Sequence, residues 1–194
     1  MTPMLTRSDE PRPRLLDLAL RTVATEPVRR TIEHYFAGLG GTAVTPRRAI
    51  DPARLRDILP SVILIEAQGE AFPVRLAGTG FSERLRREIT GTDWLDIVPE
   101  EHRAAMAVCL RRLLAHPCGV HFLVAEGWRT EPCLEYALLP ISKSGQGTPD
   151  MLFGAAAMIR EPESPALLAK LPAVTSRQAR LIDIGWGVPE MACG

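Results

Sequence analysis

The sequence predicts an α+β fold, a five-stranded antiparallel sheet with helices inserted between its second and third strands and an amphipathic helix in front. Three observations carry this reading. First, Leu59 to Ile97 reads as strand, turn, strand and short helix, with Val62-Ile63-Leu64-Ile65 as an apolar run suited to a strand covered on both faces. Second, Pro99-Glu100-Glu101 opens a long helix with acidic residues at its positive end. Third, three strand-like segments with hairpin-length connections follow that helix, and one antiparallel sheet closes them naturally.

The elements follow in order. Residues 1–13 carry three prolines and mixed charge and read as disordered. Leu15, Leu16, Leu18, Ala19, Leu20 and Val23 suit a short helix, which Thr25-Glu26-Pro27 interrupts and restarts. In the second helix, Val28, Ile32, Tyr35, Phe36 and Leu39 share one face while Arg29, Arg30 and Glu33 point away, and Gly40-Gly41 ends it. Such a helix either covers an open sheet face or pairs with its copy in a second subunit. Asp51 is placed to cap a short helix through Asp57 or Ile58, closed by Pro60.

The run Val74-Arg75-Leu76-Ala77 is the second strand, stopped at Gly78-Thr79-Gly80. Ser82 is the expected N-cap of the next helix, with Phe81, Leu85 and Ile89 as its stripe and Gly91 as its stop. Met106, Cys109, Leu110, Leu113 and Leu114 line the long helix, which His116-Pro117 ends. The last three strands run from about Cys118 to Ala125, Cys133 to Ile141 and Met151 to Ile159. Glu126 to Arg129 joins the first two, and Ser142 to Asp150 the last two. Gln178 to Ile184 reads as one or two helical turns. The domain division is 1–24 for a flexible segment with a short helix, 25–160 for the folded domain and 161–194 for a partly ordered extension.

Composition narrows the function. The 194 residues are 46% hydrophobic and 24% charged, which fits one soluble domain with appendages. The 23 basic residues cancel the 23 acidic ones, which argues against extended binding of nucleic acid or an anionic membrane. No run approaches the roughly 20 apolar residues of a membrane span, and the N-terminus lacks a secretory signal, so a cytoplasmic protein is expected. Cys109, Cys118, Cys133 and Cys193 form no Cys-x-x-Cys pair and read as reduced.

The residues from Pro27 to Ile159 resemble a bacterial family of stand-alone PAS proteins of unknown function, common in alphaproteobacteria. The resemblance rests on Tyr35-Phe36-Ala37-Gly38-Leu39, Ile50-Asp51-Pro52 with Leu59-Pro60, and Arg75-Leu76-Ala77-Gly78-Thr79. It continues through Glu88-Ile89-Thr90-Gly91, Leu138-Leu139-Pro140-Ile141-Ser142 and Gly154. The chain departs from the family at Phe36, where tryptophan is usual, at Glu66, where aspartate is, and at Arg86, where glycine is.

The resemblance implies a PAS-like sheet, a pocket between it and the inserted helices, and output through flanking helices. The candidate walls are Leu76, Phe81, Leu85, Trp94, Met106 and Leu110, with Tyr136 reaching in from the sheet. Any core of this fold would bury the same residues. Arg75 is either paired with Glu66 or Glu88 or available to a ligand carboxylate or phosphate.

No catalytic constellation is readable. His116, Cys118 and His121 suggest a metal site only superficially, because Cys118 and His121 face opposite sides of a strand. His102 and His116 lie in no haem motif and read as surface histidines, and no cysteine lies between Phe81 and Glu101 for a photoactive flavin. The cofactor is left unknown. The expected function is that of a non-enzymatic cytoplasmic PAS module, sensing a small molecule or binding a signalling partner. It is expected as a homodimer through Val28, Ile32, Tyr35 and Phe36. With no output domain in the chain, signalling is expected to pass through the partner. The alternatives are a small-molecule enzyme on the same pocket and a purely structural dimer.

Overall fold

The structure, a computed structural model, describes residues 7–125, 132–145, 148–160 and 179–189. The expected turn at 126–129, residues 146–147 of the following loop, most of the C-terminal extension and Cys193 lie outside the described residues. Helices α1 (Arg12–Leu20) and α2 (Glu26–Gly38) lead to the short strand β1 (Thr45–Pro46). Strands β2 (Val62–Glu66) and β3 (Val74–Ala77) follow, then α3 (Thr79–Leu85) and α4 (Glu100–Ala115). Strands β4 (Gly119–Ala125), β5 (Pro132–Ser142), β6 (Met151–Met158) and β7 (Ala179–Ile182) complete the chain.

The strands form one sheet in the order β3-β2-β6-β5-β4-β7, with every pairing on this path antiparallel. The five strands expected from sequence are β2 to β6, and α3 and α4 sit between the second and third of them. Two strands are additional. The first, β1, pairs in parallel with the end of β5, Thr45 opposite Ile141. Two residues, one of them proline, are too short for any period to register. The second, β7, replaces the helical turns expected over Gln178 to Ile184. Its partner is the outer edge of β4, where Gly119 lies opposite Ile182 and His121 opposite Arg180. An open edge presents unpaired N–H and C=O groups, and this pairing satisfies them.

Both faces of the sheet are covered. On the inner face, Ile63, Ile65, Val74, Leu138 and Leu152 pack with residues of α3, α4 and the loop between them. On the outer face, Val62, Leu64, Leu139, Ile141 and Phe153 pack against α1 and α2. This explains the unbroken apolar run of β2: Ile63 and Ile65 face one layer, Val62 and Leu64 the other.

Several local expectations shift. Helix α1 begins at Arg12, with proline in its first turn, so the ordered chain reaches further back than the expected boundary at residue 13. The Asp51 carboxylate accepts from Ala53 N–H at 2.9 Å, but the next 3₁₀ turn spans Arg56–Ser61 and contains Pro60 rather than ending at it. Helix α3 starts three residues before Ser82 and stops at Leu85, short of Ile89. Gly78 sets that start. A Cβ there would lie 2.1 Å from the Leu59 carbonyl oxygen, so only glycine lets β3 pass the Arg56–Ser61 turn this closely. Arg86 sets the stop by adopting the left-handed conformation, φ 52° and ψ 31°, the only non-glycine residue described with positive φ.

Candidate functional site

The inner face gathers most of the predicted pocket residues. Phe81, Trp94, Leu110 and Tyr136 are buried in one cluster, with Leu85 and Met106 partly buried against it. Tyr136 is central. Its ring stacks on Phe122 at a centroid distance of 5.1 Å and meets Trp94 edge-on at 6.5 Å. Burial raises the Tyr136 hydroxyl well above the ordinary tyrosine range, the Arg84 cation opposing it, so Tyr136 is a neutral donor and acceptor. The Trp94 indole N–H is buried and has no hydrogen-bond partner among the described residues.

Leu76 departs from the expectation. It lies opposite Leu64, whose side chain faces the outer layer, and is 42% exposed. The cause is a bulge: the register places Ile65 opposite Val74 and Leu64 opposite Leu76, leaving Arg75 as the extra residue. Strict alternation along Val74-Arg75-Leu76-Ala77 therefore misassigns the face of Leu76.

Arg75 takes the first of its two expected partners. Its Nε donates to Glu66 Oε2 at 2.5 Å, and Lys143 Nζ donates to Glu66 Oε1 at 3.0 Å. The Lys143 and Arg75 hydrogen bonds hold the Glu66 carboxyl below its ordinary value. Glu88 is engaged elsewhere, accepting from the Ile89 and Thr90 backbone N–H groups within its own loop. Arg75 is thus an exposed structural ion pair on the sheet edge, away from the inner cluster.

The cation that does reach the inner face is Arg84, which the sequence reading did not single out. Its guanidinium carbon lies 4.7 Å from the centroid of the Phe81 ring, and Nη2 donates to the Ala156 carbonyl at 3.5 Å. Ala156 lies opposite Tyr136 in the β5–β6 ladder. No carboxylate forms an ion pair with Arg84 among the described residues, and burial lowers the arginine from its ordinary value. The available signal was spacing: Arg84 stands three residues after Phe81, so both project from one side of α3.

The outer face holds a second polar arrangement that the sequence reading missed. Glu135, on β5, is fully buried. Its Oε1 accepts from the Ala24 N–H at 2.8 Å and from His121 Nε2 at 2.7 Å. Its Oε2 accepts from the Thr25 N–H at 2.8 Å and the Thr25 hydroxyl at 2.5 Å. Burial by itself would raise this carboxyl, but the His121, Thr25 and Ala24 hydrogen bonds outweigh it and hold the pKa below its ordinary value. Thr25 caps α2 as its position suggests, yet with no bond from its own side chain to the helix. Glu135 supplies the negative charge at that positive helix end instead.

Arg180 performs the complementary task at the end of α1. Its Nη1 donates to the Leu18 carbonyl at 2.7 Å and its Nη2 to the Ala19 carbonyl at 2.6 Å. Arg180, His121 and Glu135 come from three neighbouring strands, so a row of polar side chains across β7, β4 and β5 fastens the α1–α2 corner to the sheet.

The residues expected at an α2 interface lie inside the chain's own fold. Val28, Ile32 and Tyr35 are fully buried and Phe36 nearly so, all within one chain. The Tyr35 hydroxyl donates to the Pro140 carbonyl at 2.8 Å, tying the helix to β5. These residues cover the chain's own sheet, the first of the two roles open to such a helix, because the outer sheet face is apolar and needs a cover.

Cys118, His121 and His116 are held in structural settings. Cys118 is buried on the inner side with its thiol pushed up to about 12 by burial, while His121 faces the outer layer. His116 is not a free surface side chain: its Nε2 lies 3.0 Å from the Trp186 carbonyl oxygen. Among the described residues no group of three or more His, Cys, Asp or Glu is placed to hold a metal ion. No helix described is long and apolar enough to cross a membrane.

Comparison with known proteins agrees with this architecture. A family model described as a PAS domain matches residues 24–157, roughly two thirds of the chain. No curated protein matches.

Proposed function

The chain belongs to the PAS-domain family, and from that premise we propose that it is a non-catalytic cytoplasmic sensory module which binds a small molecule on the inner face and relays its presence to α1 and α2. One observation carries the relay. Glu135 and Tyr136 are consecutive residues of β5 whose side chains reach opposite faces of the sheet. Tyr136 belongs to the aromatic cluster beneath α3 and α4, and Glu135 holds the start of α2. A shift of Tyr136 on ligand binding therefore moves the backbone that aims the Glu135 carboxylate, and the two corner N–H groups feel it directly. Signalling to a partner protein, or to a second copy of the chain, then proceeds from the α1–α2 corner. A homodimer uses a surface other than the α2 face named above.

Native mass spectrometry and an absorption spectrum of freshly purified protein test binding, with a bound mass or cofactor bands as the expected result. Hydrogen exchange over residues 18–30, compared between loaded and stripped protein, tests the relay. Unchanged exchange there on loading would remove it.

A further inference from the structure

We propose that the inner face takes a small organic carboxylate, with the partly buried Arg84 receiving the acid group and the Phe81, Trp94 and Tyr136 rings packing on the apolar body. This rests on the inner-face binding reading above and adds the ligand's chemical class. The first ground is the unmatched cation. Arg84 is partly buried, lies against the Phe81 ring and spends one donor on a 3.5 Å contact with Ala156, with no carboxylate paired to it among the described residues. A guanidinium presents five N–H donors in a planar fork that matches a carboxylate with two parallel bonds, and four of those of Arg84 have no protein acceptor among the described residues.

The second ground is independent of Arg84. The Trp94 indole N–H, in a residue 1% exposed, has no acceptor among the described residues, an arrangement that costs free energy unless something supplies one. Tyr136 joins the two, touching Trp94 edge-on and lying opposite Ala156, the residue that Arg84 contacts. Two donors and a neutral hydroxyl set among aromatic rings suit a ligand with an acidic head and a short apolar body. Arg75, by contrast, is already paired with the Glu66 carboxylate, lies on the sheet edge away from these rings and takes no part.

The test uses the full chain, stripped of any bound molecule, with three acids and their amides as probes: benzoate with benzamide, phenylacetate with phenylacetamide, hexanoate with hexanamide. Affinities are read by calorimetry. At least one acid is expected to bind about tenfold or more tightly than its amide, the scale of a charge-assisted pair over a neutral one. R84Q is expected to erase that preference and R84K to retain part of it, with circular dichroism verifying that both variants fold. Because Arg84 itself packs on Phe81, R84K also guards against loss through misfolding. If acid and amide bind alike and R84Q changes neither, inner-face binding stands and the carboxylate assignment is overturned. If no acid or amide binds and the fresh protein carries no extra mass, both readings fall together.

Discussion

His121 Nε2 lies 2.7 Å from Glu135 Oε1, with both side chains 2% exposed or less, and the same carboxylate receives the backbone N–H groups of Ala24 and Thr25. A buried carboxylate with four hydrogen bonds is costly to disturb, since removing its charge leaves donors without a matching acceptor. E135Q is therefore expected to lose about 3 kcal/mol at pH 7. The pH dependence has a definite sign. A folded pKa below the ordinary 4.5 means that the contribution is full above pH 4.5 and is lost as pH falls through the folded value. Urea unfolding of wild type and E135Q across pH 3 to 8 should show a gap that is flat above about pH 5 and closes on acidification. A gap that widens toward low pH would reverse the charge state assigned to Glu135.

Ile32 makes the position of α2 testable. Its side chain is fully buried on the outer face of the chain's own sheet. I32A is expected to cost about 2–4 kcal/mol in unfolding free energy, as large-to-small core changes do, with the folded protein's mass by light scattering unchanged. A change in mass with little loss of stability would instead make α2 an intersubunit surface.

Gly78 is a point of close approach rather than of flexibility. The added methyl of G78A would meet the Leu59 and Pro60 carbonyl oxygens at 2.1 and 2.4 Å, and backbone cannot step aside as a side chain can. The expected result is a loss of about 3 kcal/mol or more, seen as a large drop in Tm. G41A, where nothing lies within 4 Å, serves as the control and should stay close to wild type.

Arg86 predicts a change in the other direction. The left-handed backbone costs an ordinary L-residue roughly 1–2 kcal/mol, and glycine escapes most of that at some expense in chain entropy. R86G should raise stability by up to about 1 kcal/mol, whereas R86V, with its branched Cβ, should lower it by about the same amount. Equal stability of the two variants would mean that the loop relaxes out of this conformation.

Much of the sheet was legible in the sequence because apolar periodicity records which side of an element meets the core. Val62 to Ile65, the α4 stripe of Leu110, Leu113 and Leu114, and the three later strands all declare themselves this way. Glycine where a Cβ would strike backbone marked Gly78, and the departure at Arg86 fell at the one described non-glycine residue with positive φ. The sequence also named Glu66 beside Glu88 as a partner for Arg75, since a charged residue amid apolar neighbours needs one, and the structure selects Glu66.

Tertiary structure decided what depends on contacts between distant segments. A bulge at Arg75 turned Leu76 to the outer face. The edge of β4 made a strand of Ala179–Ile182. Glu135 meets Ala24 and Thr25 across more than a hundred residues, and Arg84 reaches Ala156 from another layer. Period and propensity are local properties, so they mark most of the apolar positions that face the core but not where a bulge turns a side chain outward, as at Leu76, or which polar groups are buried, as at Glu135. Which buried polar groups meet is set only when the layers close, and here that closure produced both the inner-face cation and the corner clamp.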